Sequence, residues 1–329
     1  MTPDEKYMTR CLELARLGKG HVAPNPMVGS VIVCDDKIIG EGYHQFYGQA
    51  HAEVNAIKSV KDPSLLTKST IYVNLEPCAH FGKTPPCSDL IVEKGIPRIV
   101  IGCIDSYSEV AGKGVEKLKN AGREVIVGVL EKESLELNRR FFTFHNKKRP
   151  YVILKWAESK DGFVDINRDN GEKGTFWITQ PETKQLVHKW RHEEAGILVG
   201  FNTVINDDPE LTVREFEGNS PTRFYLDKKG IIETSRYKIH NDLASTYAIQ
   251  STQVKDILAE IYSKEIQSII VEGGANTLQK FLDSGLWDEA RVITGIGNIE
   301  KGLKAPKIDK KPSNSFYFGK DLVTTYFND

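Results

Sequence analysis

Short apolar strands alternate with amphipathic helices along this chain, and the alternation runs twice. The first run ends in the basic, aromatic stretch "RRFFTFHNKKRP" (139–150); a fresh strand, "YVILKWAES", then restarts it. Strand-then-helix order favours largely parallel sheets layered with helices. Two such runs in 329 residues imply two α/β domains. The boundary is placed between 147 and 148, giving domains 1–147 and 148–329.

In the first run, Met8, Cys11, Leu12, Ala15 and Leu17 recur at helical spacing and predict a helix over 4–18. "VGSVIVCDDKIIGEGYH" (28–44) reads as two strands around a "CDDK" turn. "AHAEVNAIKSV" (50–60) carries apolar residues at 52, 54, 56, 57 and 60 and suits a helix. A strand is expected within 69–78, then helix–turn–strand over 87–105 and the same order over 114–130. The second run predicts helices at 180–194, 254–265 and 276–286, and strands at 195–200, 221–227 and 268–274. "ILVGFNTVINDDPELTVR" (197–214) reads as a strand ending in glycine and then a loop. There is no internal repeat and no low-complexity segment.

Apolar residues make up 40% of the chain and charged residues 27%, enough apolar material for two cores. A net charge of −1 argues against nucleic acid as a partner, because binding to a polyanion needs a basic footprint. No apolar run reaches the roughly 18 residues of a membrane span. The N-terminus "MTPDEKYMTRCLELARLGKG" is amphipathic and acidic in part, unlike a secretory signal. Five cysteines, an odd number, fit free thiols or metal ligands in a cytoplasmic protein.

The chemistry begins at "HAEVNAI" (51–57). Downstream, "EPCAHFGKTPPCSDL" supplies Cys78 and Cys87, each preceded by proline. His51 with two thiolates is a zinc donor set, and three protein ligands leave one tetrahedral position open for catalysis. Glu53, two residues from the histidine, can then reach a water without binding the metal and act as its proton shuttle. Zinc deaminases of nucleobases use this H-x-E and P-C plan. A closed structural zinc site, with Cys103, His80 or Cys34 as the fourth ligand, is the alternative, but it has no use for Glu53. Asn25, His44, His80, Lys83 and Thr84 are polar groups within reach of a ring or a phosphate. Eight residues separate the two cysteines, where the common signature has two.

"NPMVG", "GYHQFYGQAHAE" and "PCAHFGKTPPC" resemble the bifunctional deaminase/reductases of riboflavin biosynthesis. That resemblance implies a cytidine-deaminase-like three-layer domain. It implies hydrolytic deamination of a diamino-hydroxy-pyrimidine bearing a phosphoribosylamino group. It places zinc on His51, Cys78 and Cys87, Glu53 as proton shuttle, and Asn25, His44, His80 and Lys83 on the substrate. The family tendency is a homo-oligomer.

The second half has its own signals. "VEGGAN" follows a strand and opens a helix, a place where backbone N–H groups approach phosphates. It is not a G-x-G-x-x-G fingerprint. "KWAESKDG", "WIT", "ILVGFNTVINDDPELTVR" and "VEGG" resemble the family's reductase half, a dihydrofolate-reductase-like fold using NADPH to turn a ribosyl group into ribityl. The resemblance places Ala157, Trp177, Thr203, Asp207, Gly273 and Gly274 on NADPH. It places Lys155, Thr175, Arg191, Leu211, Arg214 and Glu272 by the substrate. Arg191 and Arg214 suit a phosphate, since guanidinium matches its oxygens bidentately. Two departures stand out: a long polar insert between Asp161 and Trp177, and the Lys-rich "NIEKGLKAPKIDKKPSN" (298–314) near the C-terminus. They leave open a deaminase whose second half is inactive in reduction.

Overall fold

The structure, a computed structural model, describes residues 1–81, 85–105, 111–168, 171 and 173–328. The chain divides into two compact units, Met1–Lys147 and Lys148–Asp329.

The first unit runs α1 (Pro3–Arg16), β1 (Gly29–Cys34), β2 (Lys37–Tyr43), α2 (Ala52–Ser59), β3 (Thr70–Leu75), α3 (Cys87–Glu93), β4 (Arg98–Cys103), α4 (Lys113–Asn120), β5 (Glu124–Val127), α5 (Glu131–Leu137) and α6 (Arg139–Lys147). Its sheet has the order β2-β1-β3-β4-β5. β3, β4 and β5 are parallel, but β1 pairs antiparallel with both β2 and β3. The expected parallel character holds for one half of the sheet only. Asp35 and Asp36 both take positive φ in a two-residue turn, and such a turn joins antiparallel neighbours. Alternate strand residues face opposite layers. Ile32, Ile71, Ile99 and Ile101 pack against Ala56, Ile91 and Leu118 of α2, α3 and α4. Val31, Val33, Tyr72 and Val100 pack against Tyr7, Met8, Cys11 and Leu14 of α1. The result is a helix–sheet–helix sandwich. α1 starts in a capping box, Thr2 accepting from the Glu5 N–H and Glu5 from that of Thr2. The aromatic stretch before the boundary is α6, whose Phe141 and Phe142 are buried with Leu75 and Cys103.

The second unit runs β6 (Tyr151–Glu158), β7 (Phe163–Ile166), α7 (Thr183–Glu193), β8 (Gly196–Val199), α8 (Phe201–Asp207), β9 (Thr222–Leu226), β10 (Thr246–Ile249), α9 (Val254–Tyr262), β11 (Ser268–Val271), α10 (Ala275–Ser284), β12 (Glu289–Thr294), β13 (Gly302–Lys304), β14 (Asn314–Phe318) and β15 (Asp321–Phe327). The eight-stranded sheet has the order β10-β9-β8-β11-β6-β12-β15-β14. It is parallel from β10 to β12 and antiparallel for β15 and β14. Both faces of the central parallel strands β8 and β11 are buried, as layered helices require. Val152, Leu154 and Trp156 pack with α9 and α10; Tyr151 and Ile153 pack with Trp190 of α7.

One stretch expected as loop is helical. α8 follows Gly200 directly, and its buried Val204 packs into the core with Phe201 and Ile205 beside it. A seven-residue helix with no side-chain cap owes its existence to that burial rather than to propensity. The two departures noted above meet each other. β7 from the polar insert pairs antiparallel with β13 from the Lys-rich segment. Asp161 secures the join by accepting from the N–H groups of Ile299 and Glu300.

Candidate active sites

His51 is the N-cap residue of α2, extended in backbone, with no side-chain cap bond to hold its ring. Gly42 lets the helix lie close on β2, since a Cβ there would come within 2.3 Å of the Ala56 nitrogen. Asn55 donates to the carbonyl of Tyr43 at 2.8 Å and ties down the helix start. The His51 Nδ1 lies 3.6 Å from Cys78 Sγ and 3.4 Å from Cys87 Sγ, and the Cys87 N–H donates to Cys78 Sγ at 3.3 Å. The three donor atoms lie within 4.8 Å of one another. The Cys87 thiol hydrogen-bonds Cys78 and, with His51, holds it well below the usual thiol range, while the Cys87 thiol is raised. This donor set fits zinc. Among the described residues the cluster holds no fourth ligand; Cys34, Cys103 and His80 lie outside it.

Glu53 sits in the first turn of α2 and is only 3% exposed. Burial pushes its carboxyl up to about 7, with the Cys78 thiolate adding and His51 opposing. A carboxyl poised there can take and return a proton near neutral pH. His44 is buried beside His51, ring centroids 5.6 Å apart. Its Nδ1 meets the Ala50 carbonyl at 3.1 Å, so Nδ1 carries the proton and Nε2 accepts from the Asn25 amide at 3.0 Å. Two residues on, the backbone is pinned at Met27: Asn74 and Asn138 both donate to its carbonyl, and Asn138 accepts from its N–H. His80 is exposed on the loop after Cys78. Lys83 and Thr84 lie outside the described residues.

Glu76 plays a part that the sequence did not announce. Its buried carboxylate accepts four backbone N–H groups, from Asp105, Gly112, Gly114 and Val115. It thereby fastens the Cys78 loop to the start of α4, where an anion also suits the helix dipole.

In the second unit a cavity of about 1130 Å³ opens at the carboxyl ends of the parallel strands. Lys155 and Ala157 of β6, Arg191 of α7, and Thr203 and Asp207 of α8 line it. So do Leu211 and Arg214 beyond α8, Glu272, Gly273 and Gly274 after β11, and Thr175 and Trp177 from the insert. All twelve residues matched to the reductase half therefore share one cavity. Its volume exceeds the ~300–1,000 Å³ of a typical single-ligand pocket, which suits a cofactor together with a substrate. A Cβ on Gly200 would lie 2.6 Å from Thr277 Oγ1, and one on Gly273 would lie 2.9 Å from Thr277 Cβ. Glycine at both positions lets the turns after β8 and β11 pack against Thr277 of α10 and leaves their backbone bare.

The centre of this cavity is an ion cluster. Arg191 forks Glu272 through Nε at 3.0 Å and Nη2 at 2.8 Å, and Lys155 Nζ lies 3.5 Å from the same carboxylate. Burial alone would raise Glu272, but Arg191 and Lys155 outweigh it and hold the carboxyl down to about 2. The Arg191 fork that could have met a phosphate is thus taken. Arg214 pairs with Glu210 at 2.6 Å, is half exposed, and keeps its reach into the cavity. Burial pushes Asp207 up to about 6, Arg168 opposing and Asp165 adding.

Residues 1–103 match the cytidine and deoxycytidylate deaminase zinc-binding region, and residues 150–295 match the RibD C-terminal domain. The riboflavin biosynthesis protein RibD of Aquifex aeolicus is 39% identical, over 97% of each chain. The chain belongs to the RibD family. Two solved structures extend the likeness to the whole fold. One is the Thermotoga maritima diaminohydroxyphosphoribosylaminopyrimidine deaminase/5-amino-6-(5-phosphoribosylamino)uracil reductase, with a TM-score of 0.90, 37% identity and 98% of each chain covered. The other is Acinetobacter baumannii RibD, with a TM-score of 0.88 and 32% identity, covering 99% of this chain and 98% of that one. Like other RibD proteins, this chain is a bifunctional deaminase and reductase of riboflavin biosynthesis, with zinc and NADPH as cofactors. It joins a cytidine-deaminase-like unit to a dihydrofolate-reductase-like one. The deaminase-only alternative finds no support.

Proposed function

We propose that the first unit deaminates 2,5-diamino-6-(5-phosphoribosylamino)pyrimidin-4(3H)-one, and that the second reduces the ribosyl group of the product to ribityl. The convergence of His51, Cys78 and Cys87 beside buried Glu53 carries the first half of this reading. The name of the Thermotoga enzyme supports the substrate pair.

His51, Cys78 and Cys87 would hold the zinc, which when bound makes water a nucleophile near neutral pH. Glu53 would receive the proton of the attacking water and pass it to the departing amine, so that a C–N bond is exchanged for a C–O bond and ammonia leaves. Asn25 and the neutral His44 would orient the ring, and His80 and Lys83 would contact the substrate. In the second unit, Ala157, Trp177, Thr203, Asp207 and the Gly273–Gly274 turn would hold NADPH. Lys155, Thr175, Leu211, Arg214 and Glu272 would face the pyrimidine nucleotide, with Arg191 bracing Glu272. Reduction adds a hydride to C1′ and a proton to the ring oxygen that C1′ releases. Lys228 and Lys229 line the same cavity and favour a cofactor with an extra phosphate.

No helix among the described residues is long and apolar enough to cross a membrane. Five free cysteines support a cytoplasmic location, and family membership supports a homo-oligomer acting on small molecules alone.

Ammonia release followed by NADPH oxidation, from the diamino substrate and one purified chain, tests the whole reading. Ammonia without NADPH oxidation would reject its second half. Cys78→Ser is expected to lose the metal; stoichiometric zinc by emission spectroscopy would show the wrong ligand had been chosen. Arg214→Ala is expected to raise the reductase KM about tenfold, the loss of a bond to a charged group, with a smaller effect on the deaminase rate. Equal effects on both activities would mean that one site serves both.

A further inference from the structure

The face of α7 that looks into the reductase cavity carries Lys184, Val187, His188 and Arg191, an i, i+3, i+4, i+7 set. His188 is 5% exposed. Its Nδ1 accepts the backbone N–H of Arg214 at 2.8 Å and that of Glu215 at 3.3 Å. An acceptor nitrogen has no proton, so the neutral ring carries its hydrogen on Nε2. Nε2 has no partner among the described residues, although His188 lines the cavity. Burial, with Arg191 and Arg214 nearby, holds the ring's pKa down to about 4, so the tautomer persists at neutral pH.

The segment it grips, in the connection between α8 and β9, is the one that presents Arg214. Arg214 Nη1 reaches Glu210 at 2.6 Å and Thr212 Oγ1 at 2.9 Å, and Arg191 Nη1 donates to the Thr212 carbonyl at 3.3 Å. His188 therefore fixes the backbone of one guanidinium and keeps one N–H donor in reserve, in a part of the cavity rich in positive charge. A buried, directed neutral donor beside a half-exposed cation matches the oxygens of a phosphate monoester. His192, one turn further along α7, accepts the N–H of Asn219 in the same way but does not line the cavity.

We propose that His188 is a substrate-binding residue of the reductase, holding Arg214 through Nδ1 and donating from Nε2 to the phosphate of the pyrimidine nucleotide. This rests on the reading of the cavity as the site of a phosphorylated pyrimidine.

Two substitutions separate the roles. In His188→Asn the amide oxygen stands in for Nδ1 and keeps the grip on Arg214, but nothing replaces the Nε2 donor. Its KM for 5-amino-6-(5-phosphoribosylamino)uracil is expected to rise about tenfold, the loss of one hydrogen bond to a charged group. Its KM for the dephosphorylated analogue and its Kd for NADPH, read by nucleotide fluorescence, are expected to match those of the unaltered chain. His188→Leu loses both contacts and should lose most of the preference for the phosphorylated substrate. His192→Asn, the control, should keep every constant. An unaltered KM for the phosphorylated substrate in His188→Asn would overturn the proposal. So would an equal rise for the dephosphorylated analogue, or a rise confined to NADPH, which would put the anion on the cofactor. If the unaltered chain reduces neither pyrimidine, the reading of the cavity fails, not the role of His188.

Discussion

Glu53→Gln is expected to retain zinc and to lose ammonia release by about 10²–10⁴-fold, the usual worth of a positioned proton-transfer group. The amide fills the same space in the first turn of α2, so the fold and the ligands beside it stay in place. It cannot accept a proton. Water attack and amine departure both need one moved, and among the described residues no other carboxylate joins the His51–Cys78–Cys87 cluster. Parallel zinc and ammonia assays decide the matter. Undiminished ammonia release with zinc bound would remove Glu53 from the mechanism. Loss of zinc together with activity would recast it as a structural support of the metal.

The second large effect concerns stability. Glu272→Gln is expected to cost about 3–5 kcal/mol, because it leaves Arg191 and Lys155 buried without their counter-charge. Both cations are nearly enclosed, at 12% and 13% side-chain exposure, so water does little to offset the loss. All four tryptophans, at 156, 177, 190 and 287, belong to the second unit. Urea unfolding followed by tryptophan emission therefore reports that unit. The pH dependence has a definite sign. Folding lowers the Glu272 carboxyl from the usual 4.5 to about 2. Its stabilisation is complete above the unfolded value and is lost as pH falls through the folded one. The gap between the unaltered chain and the variant should be widest near pH 7 and close between pH 4.5 and about 2. A variant with unchanged urea midpoint at pH 7 would show that the cluster contributes no stability.

Much of this protein was readable before its fold was known. His51, Glu53, Cys78 and Cys87 are informative because residue type alone narrows what they can do: an imidazole and two thiolates suit few metals, and a carboxylate two residues away needs a reason. Helices such as α1, α7 and α10 are long enough for apolar periodicity to show. α8 is not, since its seven residues are polar in the main and acquire their helix from Val204 in the core. The β1–β2 hairpin was legible in the "CDDK" turn, but the antiparallel pairing of β1 with β3 was not, because no local turn sets it.

What the sequence by itself determined was a zinc donor set with a carboxylate two residues from its histidine, a two-domain α/β plan, and the family that supplies the reaction. These follow from residue types whose chemistry names the partner even at a distance: an imidazole and two thiolates belong on one metal although His51 lies 27 and 36 positions from Cys78 and Cys87. Only the tertiary structure decided the partners. Arg191 meets Glu272 across 81 positions, and His188 meets the Arg214 backbone across 26. Asn138 meets Met27 across 111, and β7 meets β13 from the far end of the unit. Each joins backbone or side-chain polar groups that read alike in the sequence whether solvated or paired. Burial changes that, because an enclosed charge or N–H must find its complement. Which complement it finds depends on strand order and helix facing, and these are properties of the folded chain.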